Sequence, residues 1–491
     1  MSAKSLGLLQ RSAVIDFAHA LVNAVVNRLL HARDNRFVTE AMQEVVTTLT
    51  LANDLGAEPP LQLQVDGLRL CHDGQPLLGP SLQARPLLEH CAERNIAMLS
   101  FHPGLNGAEA NRLFDLLLLP ENLEALDRNH REATLLAFGI KHVRVTLQNP
   151  ADPDNRRIGL DEQGRALNQY QDLAAALQRN HRLAQSDHEL AADVTATAVE
   201  RAVIDFDEPS MLLALAMKDD IDRFTVGHSV RVALLALQVA RAMGANREQL
   251  VHIGSAALMH DIGKSKVPQE ILFKQGRLTE EEWQWMAKHP RLGAQILIEQ
   301  HENVDPRTIG AAFCHHMGAD GGGYPEPLMP TPPSSTSRLI RVCDVFEALT
   351  AVRPYKRALN PIEAFAVMFR DKNDFDPQWL RRFAKTLGLF PIGTRVQMQD
   401  GAEALVVNQT EDIRRPIVQL ITGAGGEALS HGQPETIETG VPLDGATPII
   451  AGISTHDRYL PVPDFDENDP AEVGPMAHDA CLSRHPHDHS H

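Results

Sequence analysis

Apolar residues recur at helical spacing over the first thirty positions, with Phe17, Leu21, Val25 and Leu29 on one stripe and Asp16, His19, Asn23 and Asn27 between them. That period predicts an amphipathic helix with the stripe facing a core, and not a secretory signal. The period then falls to two. Leu61-Gln-Leu-Gln-Val65 alternates, Asp66-Gly67 supplies a turn and Leu68-Arg-Leu70 returns, which predicts a hairpin closed by a type I′ turn. A leucine-rich helical stretch from Ala108 to Leu119 stops at Pro120, and Val143 to Leu147 alternates as a further short strand. Residues 1–150 therefore read as a small α/β domain.

Gln148 to Arg157 is rich in Pro, Asn and Asp and reads as a linker, assigned to 151–165. Helical periodicity dominates 166–386. Near Leu387 alternation resumes: Thr394 to Met398, a turn at Asp400-Gly401, Ala404 to Val407, then Pro416 to Ile421. These predict a small β module of three to five strands over 387–455. Residues 456–491 are rich in Pro, Asp and His and read as a disordered tail. The fold expected is mainly α, with a central all-helical domain between the N-terminal α/β domain and the C-terminal β module.

Length and composition agree with that division. A chain of 491 residues exceeds one core, and 43% hydrophobic residues is globular composition. A formal net charge of -18 argues against a DNA or RNA polymer or an anionic membrane as partner. Five cysteines without paired spacing fit a reducing compartment, and no apolar run approaches a membrane span, so the expected location is the cytoplasm. His19, His31, His72, His90 and His102 show no paired ligand spacing and read as ordinary histidines. The tail histidines, His478, His485, His487, His489 and His491, form a tract able to chelate a divalent ion, but their bland reading is a solvated terminus.

Chemistry concentrates between His228 and Lys356. His228 opens a helix carrying Val232, Leu235 and Val239; His260-Asp261 close the helical segment Ser255 to Met259; His289 lies in Ala287-Lys-His-Pro290; His315-His316 follow Thr308 to Cys314; Asp344 lies on a helix from Arg338 to Thr350. Neutral imidazoles with carboxylates suit borderline ions such as Mn²⁺, Fe²⁺, Co²⁺ and Zn²⁺. Seven such groups exceed the needs of one tetrahedral ion and match two ions sharing a carboxylate. Any one of these histidines alone would read as a hydrogen-bonded core or surface group. Asp320-Gly-Gly-Gly-Tyr-Pro325, beside the double histidine, reads as a binding loop in which Gly321 to Gly323 permit positive φ and Tyr324 offers a stacking contact.

In order along the chain, His260-Asp-Ile-Gly-Lys264, His315-His316, Asp320 to Pro325, Asp344-Val-Phe-Glu-Ala-Leu-Thr350 and Arg353-Pro-Tyr-Lys356 resemble the HD-GYP subgroup of the HD phosphohydrolase superfamily. The resemblance covers roughly Asp205 to Phe390. It implies an all-helical domain that hydrolyses cyclic di-GMP at a di- or trinuclear metal site by attack of a metal-bridging hydroxide on phosphorus. It also implies metal ligation by His228, His260, Asp261, His289, His315, His316 and Asp344, with Asp261 bridging. Catalytic roles fall to Asp261 and Lys264, the latter facing the scissile phosphate, and contacts to the dinucleotide to Tyr324, Arg353, Lys356, Gly322 and Gly323. Where relatives with a third metal carry Glu, this chain has Phe224, so two divalent ions, Fe or Mn, are expected. Met317 stands where Glu is usual after the double histidine, and Glu347 where Asp is usual.

Three other readings stay open: a regulatory module that keeps the metal site but turns over slowly, a di-iron oxygenase on a similar scaffold, and a hydrolase of another cyclic dinucleotide. The basic trio Lys264, Arg353 and Lys356 counts against the oxygenase. The flanking domains can dimerise or dock a signalling partner, with residues 1–150 the expected surface.

Overall fold

The computed structural model describes residues 3–148 (apart from 31, 34, 58, 120, 121 and 123–129), 162–204, 226–351 (apart from 275, 301–303 and 328–330), 358–423 (apart from 372, 373 and 399), 436–438 and 449–453. Phe224, Arg353, Lys356, most of the expected linker and the His-rich tail lie outside the described residues. The chain divides into two compact units, Met1–Gln171 and Asp172–His491.

The first unit is α/β and runs to Gln171, past the expected bound at 150. Helices α1 (Ala3–Leu30) and α2 (Arg36–Asp54) precede a five-stranded antiparallel sheet ordered β3-β2-β1-β4-β5, with β1 Leu61–Asp66, β2 Arg69–His72, β3 Gln75–Pro76, β4 Ile96–Phe101 and β5 Val143–Leu147. Phe17, Leu21 and Val25 enter the core as the stripe predicts, and Phe17 meets Phe101 edge-on at 4.9 Å. Leu29 does not; it is 41% exposed at the helix end. The core instead takes Ala13, Val14, Ala18, Ala20 and Ala24, so the apolar face is wider than the stripe. The hairpin forms one residue later than expected. Asp66 pairs with Arg69, which makes Gly67-Leu68 the turn, and only Gly67 has positive φ, at 58°. That is the type II′ pattern, in which glycine alone must occupy the left-handed region.

The second unit is helical around the residues of interest: α3 (Ala192–Ile204), α4 (Val226–Ala242), α5 (Arg247–Met259), α6 (Glu280–Met286), α7 (His289–Ile298), α8 (Pro306–Cys314), α9 (Ser335–Thr350), α10 (Pro361–Arg370) and α11 (Pro377–Leu387). Helices α4 and α9 are buried on nearly every side, which explains the near-continuous apolar text of α4, while α9 carries Arg341, Asp344 and Glu347 into the interior. Phe346 on α9 anchors an aromatic cluster, 5.0 Å from both Phe365 and Phe383. Short helices are stopped and started by side chains: Asn246 with Gln249, and Thr279 with Glu282, form capping boxes, and Asp305 caps α8 ahead of Pro306. The β module has five antiparallel strands ordered β10-β6-β7-β8-β9, with β6 Arg395–Met398, β7 Glu403–Asn408, β8 Ile417–Leu420, β9 Thr436–Glu438 and β10 Ile449–Ile453. No described helix is long and apolar enough to cross a membrane.

One close approach positions the site. The 3₁₀ turn Ile262–Lys266 lies against the start of α7, and a Cβ on Gly263 would sit 2.0 Å from the His289 carbonyl oxygen and 2.4 Å from the Gly293 nitrogen. Backbone cannot yield as a side-chain tip can, so the turn carrying Asp261 and the helix carrying His289 meet at this distance only with glycine there. Gly263→Ala should therefore destabilise the unit by about 1–3 kcal/mol in chemical denaturation. Gly310→Ala, whose Cβ meets nothing within 4 Å, should leave stability unchanged or raise it.

Candidate metal centre

All seven residues predicted as ligands are brought together, and all are buried. Asp261, His289, His315 and His316 form one group in which a ligand atom from each lies within 4.8 Å of the others; His228, His260 and Asp344 form a second. Asp261 stands between them. Its Oδ1 is 3.2 Å from His289 Nε2 and 3.6 Å from His315 Nε2, and its Oδ2 is 3.4 Å from His260 Nε2 and 3.6 Å from His228 Nε2.

Helix ends orient the imidazoles. The last carbonyls of a helix have no partner within it. His260, just past α5, places Nδ1 2.7 Å from Ala257 O; His289, just past α6, places Nδ1 2.7 Å from Met286 O; His315, just past α8, places Nδ1 2.9 Å from Ala312 O. A carbonyl can only accept, so each Nδ1 carries the hydrogen and each neutral ring presents the lone pair of Nε2 to the centre. His228 is fixed by charge instead. Its Nδ1 bonds the Glu347 carboxylate, whose other oxygen accepts from Arg231 Nε at 2.6 Å.

The lone pairs so aimed crowd one another. His289 Nε2 lies 3.2 Å from His315 Nε2, a repulsive arrangement that a shared cation would relieve, and 3.2 Å from His316 Nε2. His260 Nε2 and Asp261 Oδ1 are buried and accept no hydrogen bond. Burial holds His289 below the usual imidazole range, His315 down to about 4 and His316 well below the usual range, so these three are neutral donors. Burial opposes the charge of Asp261, but Lys264 and His260 outweigh it and keep the carboxyl well below its usual range. Asp344 is held at about 2 against its burial by His228. His228 is lifted to about 9, its burial overcome by Glu347 and Asp344. Imidazole nitrogen and carboxylate oxygen in two adjoining groups are a donor set that fits borderline divalent metal ions.

Lys264 is buried and donates to Asp261 Oδ2 at 2.6 Å. Tyr324 stacks on His316, centroids 4.6 Å apart, and so lies beside the first group. The glycine loop folds back on the double histidine: Gly318 N–H donates to Gly322 O at 2.8 Å, and Met317 pairs with Gly323. Gly321 and Gly323 have positive φ as predicted, but Gly322 does not. A Cβ on Gly323 would lie 2.3 Å from His316 O, so this glycine serves close packing of the loop on a ligand.

The roles of three participants escaped the sequence reading. Arg231 follows His228 by three residues and Glu347 follows Asp344 by three, so each shares a helix face with a ligand, a spacing visible in advance. His181 is the third. Its Nε2 is buried without a hydrogen-bond partner, and burial, with the Lys264 ammonium nearby, outweighs the pull of Asp261 and holds it down to about 4.

Comparison with known proteins agrees with this architecture. Residues 214–379 match the HD domain family. The chain is 33% identical over 264 residues to a cyclic di-GMP phosphodiesterase of Pseudomonas aeruginosa, covering 53% of this chain and 63% of the relative. It is 36% identical to the cyclic di-GMP phosphodiesterase response regulator RpfG of Xanthomonas campestris, over 30% of this chain and 39% of the relative. Identity is also 36% to a 3'3'-cGAMP-specific phosphodiesterase of Vibrio cholerae, over 34% of this chain and 36% of that protein. The chain thus spans less than two thirds of the length of these curated relatives. A solved HDG"Y"P protein from Bdellovibrio bacteriovorus is 18% identical, with a TM-score of 0.39 over 46% of this chain and 73% of that one. The HD, double-histidine and GYP motifs all fall, in order, within the segment that matches the HD domain family.

The tautomer argument gives a direct test. Replacing the carboxylate that orients His228, in Glu347→Gln, should weaken divalent-metal binding about 10- to 100-fold in calorimetric titration. Unchanged affinity would mean that Glu347 does not set the donor atom of His228.

Proposed function

We propose that this protein is a metal-dependent phosphodiesterase that hydrolyses a cyclic dinucleotide, with cyclic di-GMP the leading substrate. The observation that carries the reading is Asp261, each of whose oxygens faces a different set of imidazoles, in a chain whose relatives are named for cleaving such dinucleotides. Asp261 Oδ1 with His289, His315 and His316 would hold one ion, and Asp261 Oδ2 with His228, His260 and Asp344 the other. Iron or manganese suits this donor set. Two such cations supply positive charge to the phosphodiester oxygens and acidify the attacking water.

The chain's own residues do the remainder. The helix-end carbonyls of Ala257, Met286 and Ala312 hold three imidazoles in the donor tautomer, so the site is organised before substrate arrives. Lys264, buried beside Asp261, places a fixed ammonium where negative charge gathers on the phosphoryl oxygens during attack. Tyr324 lines the site on His316, and its ring excludes water from one side. Arg353 and Lys356 are assigned to the second phosphate, where a guanidinium can bond two oxygens at once.

A second substrate is favoured by one observation. Relatives specific for 3'3'-cGAMP match at 33–36% identity, the same range as the cyclic di-GMP enzymes. Both substrates should therefore be offered. Protein purified without oxygen and loaded with Mn²⁺ or Fe²⁺ should open the ring of cyclic di-GMP, and Asp261→Ala should lose both bound metal and turnover. Full turnover in that variant would overturn the assignment. Bound metal without turnover of either dinucleotide would leave a binding module, with Met317→Glu the substitution that should restore activity.

A further inference from the structure

We propose that Trp283 holds one purine base of the dinucleotide by stacking, an assignment that rests on the cyclic-dinucleotide reading above. Three rings lead outward from the metal centre. His316 belongs to the first ligand group; Tyr324 stacks on it almost parallel, at 23°; Trp283 meets Tyr324 edge-on at 5.4 Å and 84°. An edge-on partner covers at most one face of an indole, and Trp283 is only half-buried despite its size. A base attached to a phosphate held at the cations extends beyond the ligand groups, where these rings border the site.

The helix that bears Trp283 is registered to the metal centre rather than left to float. Thr279 and Glu282 form its capping box, and Lys274 Nζ grips Glu282 at 2.5 Å. At its other end Met286 is buried, and the Met286 carbonyl is the acceptor that orients His289. The indole is thus fixed relative to a ligand through three residues of chain. Trp285, two residues on, carries the Lys288 ammonium over its ring at 3.8 Å, whereas Trp283 is the indole of α6 that meets Tyr324 beside the centre. Glu280, Glu281 and Glu282 in the first turn repel phosphate but not an uncharged base, so the ligand lies with its phosphates at the cations and its base at the helix. Stacking on an aromatic face is the interaction that single-stranded nucleotides share, whatever the base.

The test compares the metal-loaded full chain with Trp283→Leu and Trp283→Phe, on cyclic di-GMP and on methyl p-nitrophenyl phosphate, a diester with no base. Trp283→Leu should raise KM for cyclic di-GMP about tenfold. Its kcat, metal content and turnover of the small diester should stay at the parent values, and Trp283→Phe should recover most of the lost affinity. An unchanged KM in Trp283→Leu, with the parent active, would overturn the base subsite alone. Parallel loss on both substrates together with metal would show a structural prop for Tyr324 and likewise overturn it. If the parent hydrolyses no cyclic dinucleotide, calorimetric binding decides: binding weakened in Trp283→Leu supports the subsite in a binding module, and no binding by the parent sinks both readings.

Discussion

Asp261 is 1% exposed, and a carboxylate taken out of water is costly unless donors and cations surround it. Everything near it answers that cost. Lys264 binds one oxygen directly, and four imidazole nitrogens stand within 3.6 Å of the two oxygens. The imidazoles are themselves buried and neutral where burial dominates, so they cannot satisfy the carboxylate by charge. The lone pairs of His289 and His315 face one another at 3.2 Å. Divalent cations held between the two groups would offset both the buried negative charge and the facing lone pairs.

The helical scaffold supplies the orientation at little expense. Three helices end just before a ligand histidine, and each leaves carbonyls that need donors. The imidazole N–H meets that need and in doing so fixes which nitrogen faces the centre. One hydrogen bond therefore closes a helix and sets a tautomer. His228, near the start of α4, is held by the Glu347–Arg231 pair instead. The electrostatic consequence differs too: a carboxylate partner lifts His228, whereas burial lowers His315.

Close backbone approach completes the arrangement. Gly263 lets the Asp261 turn rest on the His289 helix, and Gly323 lets the GYP loop rest on the carbonyl of His316. In both places the glycine serves a ligand, not a bound molecule. Tyr324 is then delivered onto the His316 ring by the same loop, so the geometry of the metal centre and of the surface around it is coupled.

Much of this was legible in the chain. The 3.6-residue period marked α1 and the helical central region, the two-residue period marked β1, β2 and β5 of one sheet and β6, β7 and β8 of the other but not β3, β4, β9 or β10, and the order of histidines and aspartates singled out the candidate ligands, because periodicity and spacing are local properties. Partnerships across long separations were not legible. Nothing local ties Glu347 to His228, 119 positions earlier, or brings Gly263 against the helix that starts at His289. Conservative charge at Glu347 concealed that it sets a tautomer, and His181, on a helix far upstream, carried no motif to mark it as a neighbour of Asp261. The hairpin turn and Leu29 failed for a smaller reason: a one-residue register and the last turn of a helix are settled by packing, not by period. The sequence by itself determined which residues could bind metal and what elements they ride on. Only the tertiary structure decided which nitrogen of each ring faces the centre and that Asp261 stands between the two groups, because both depend on helix ends and buried charges meeting in space.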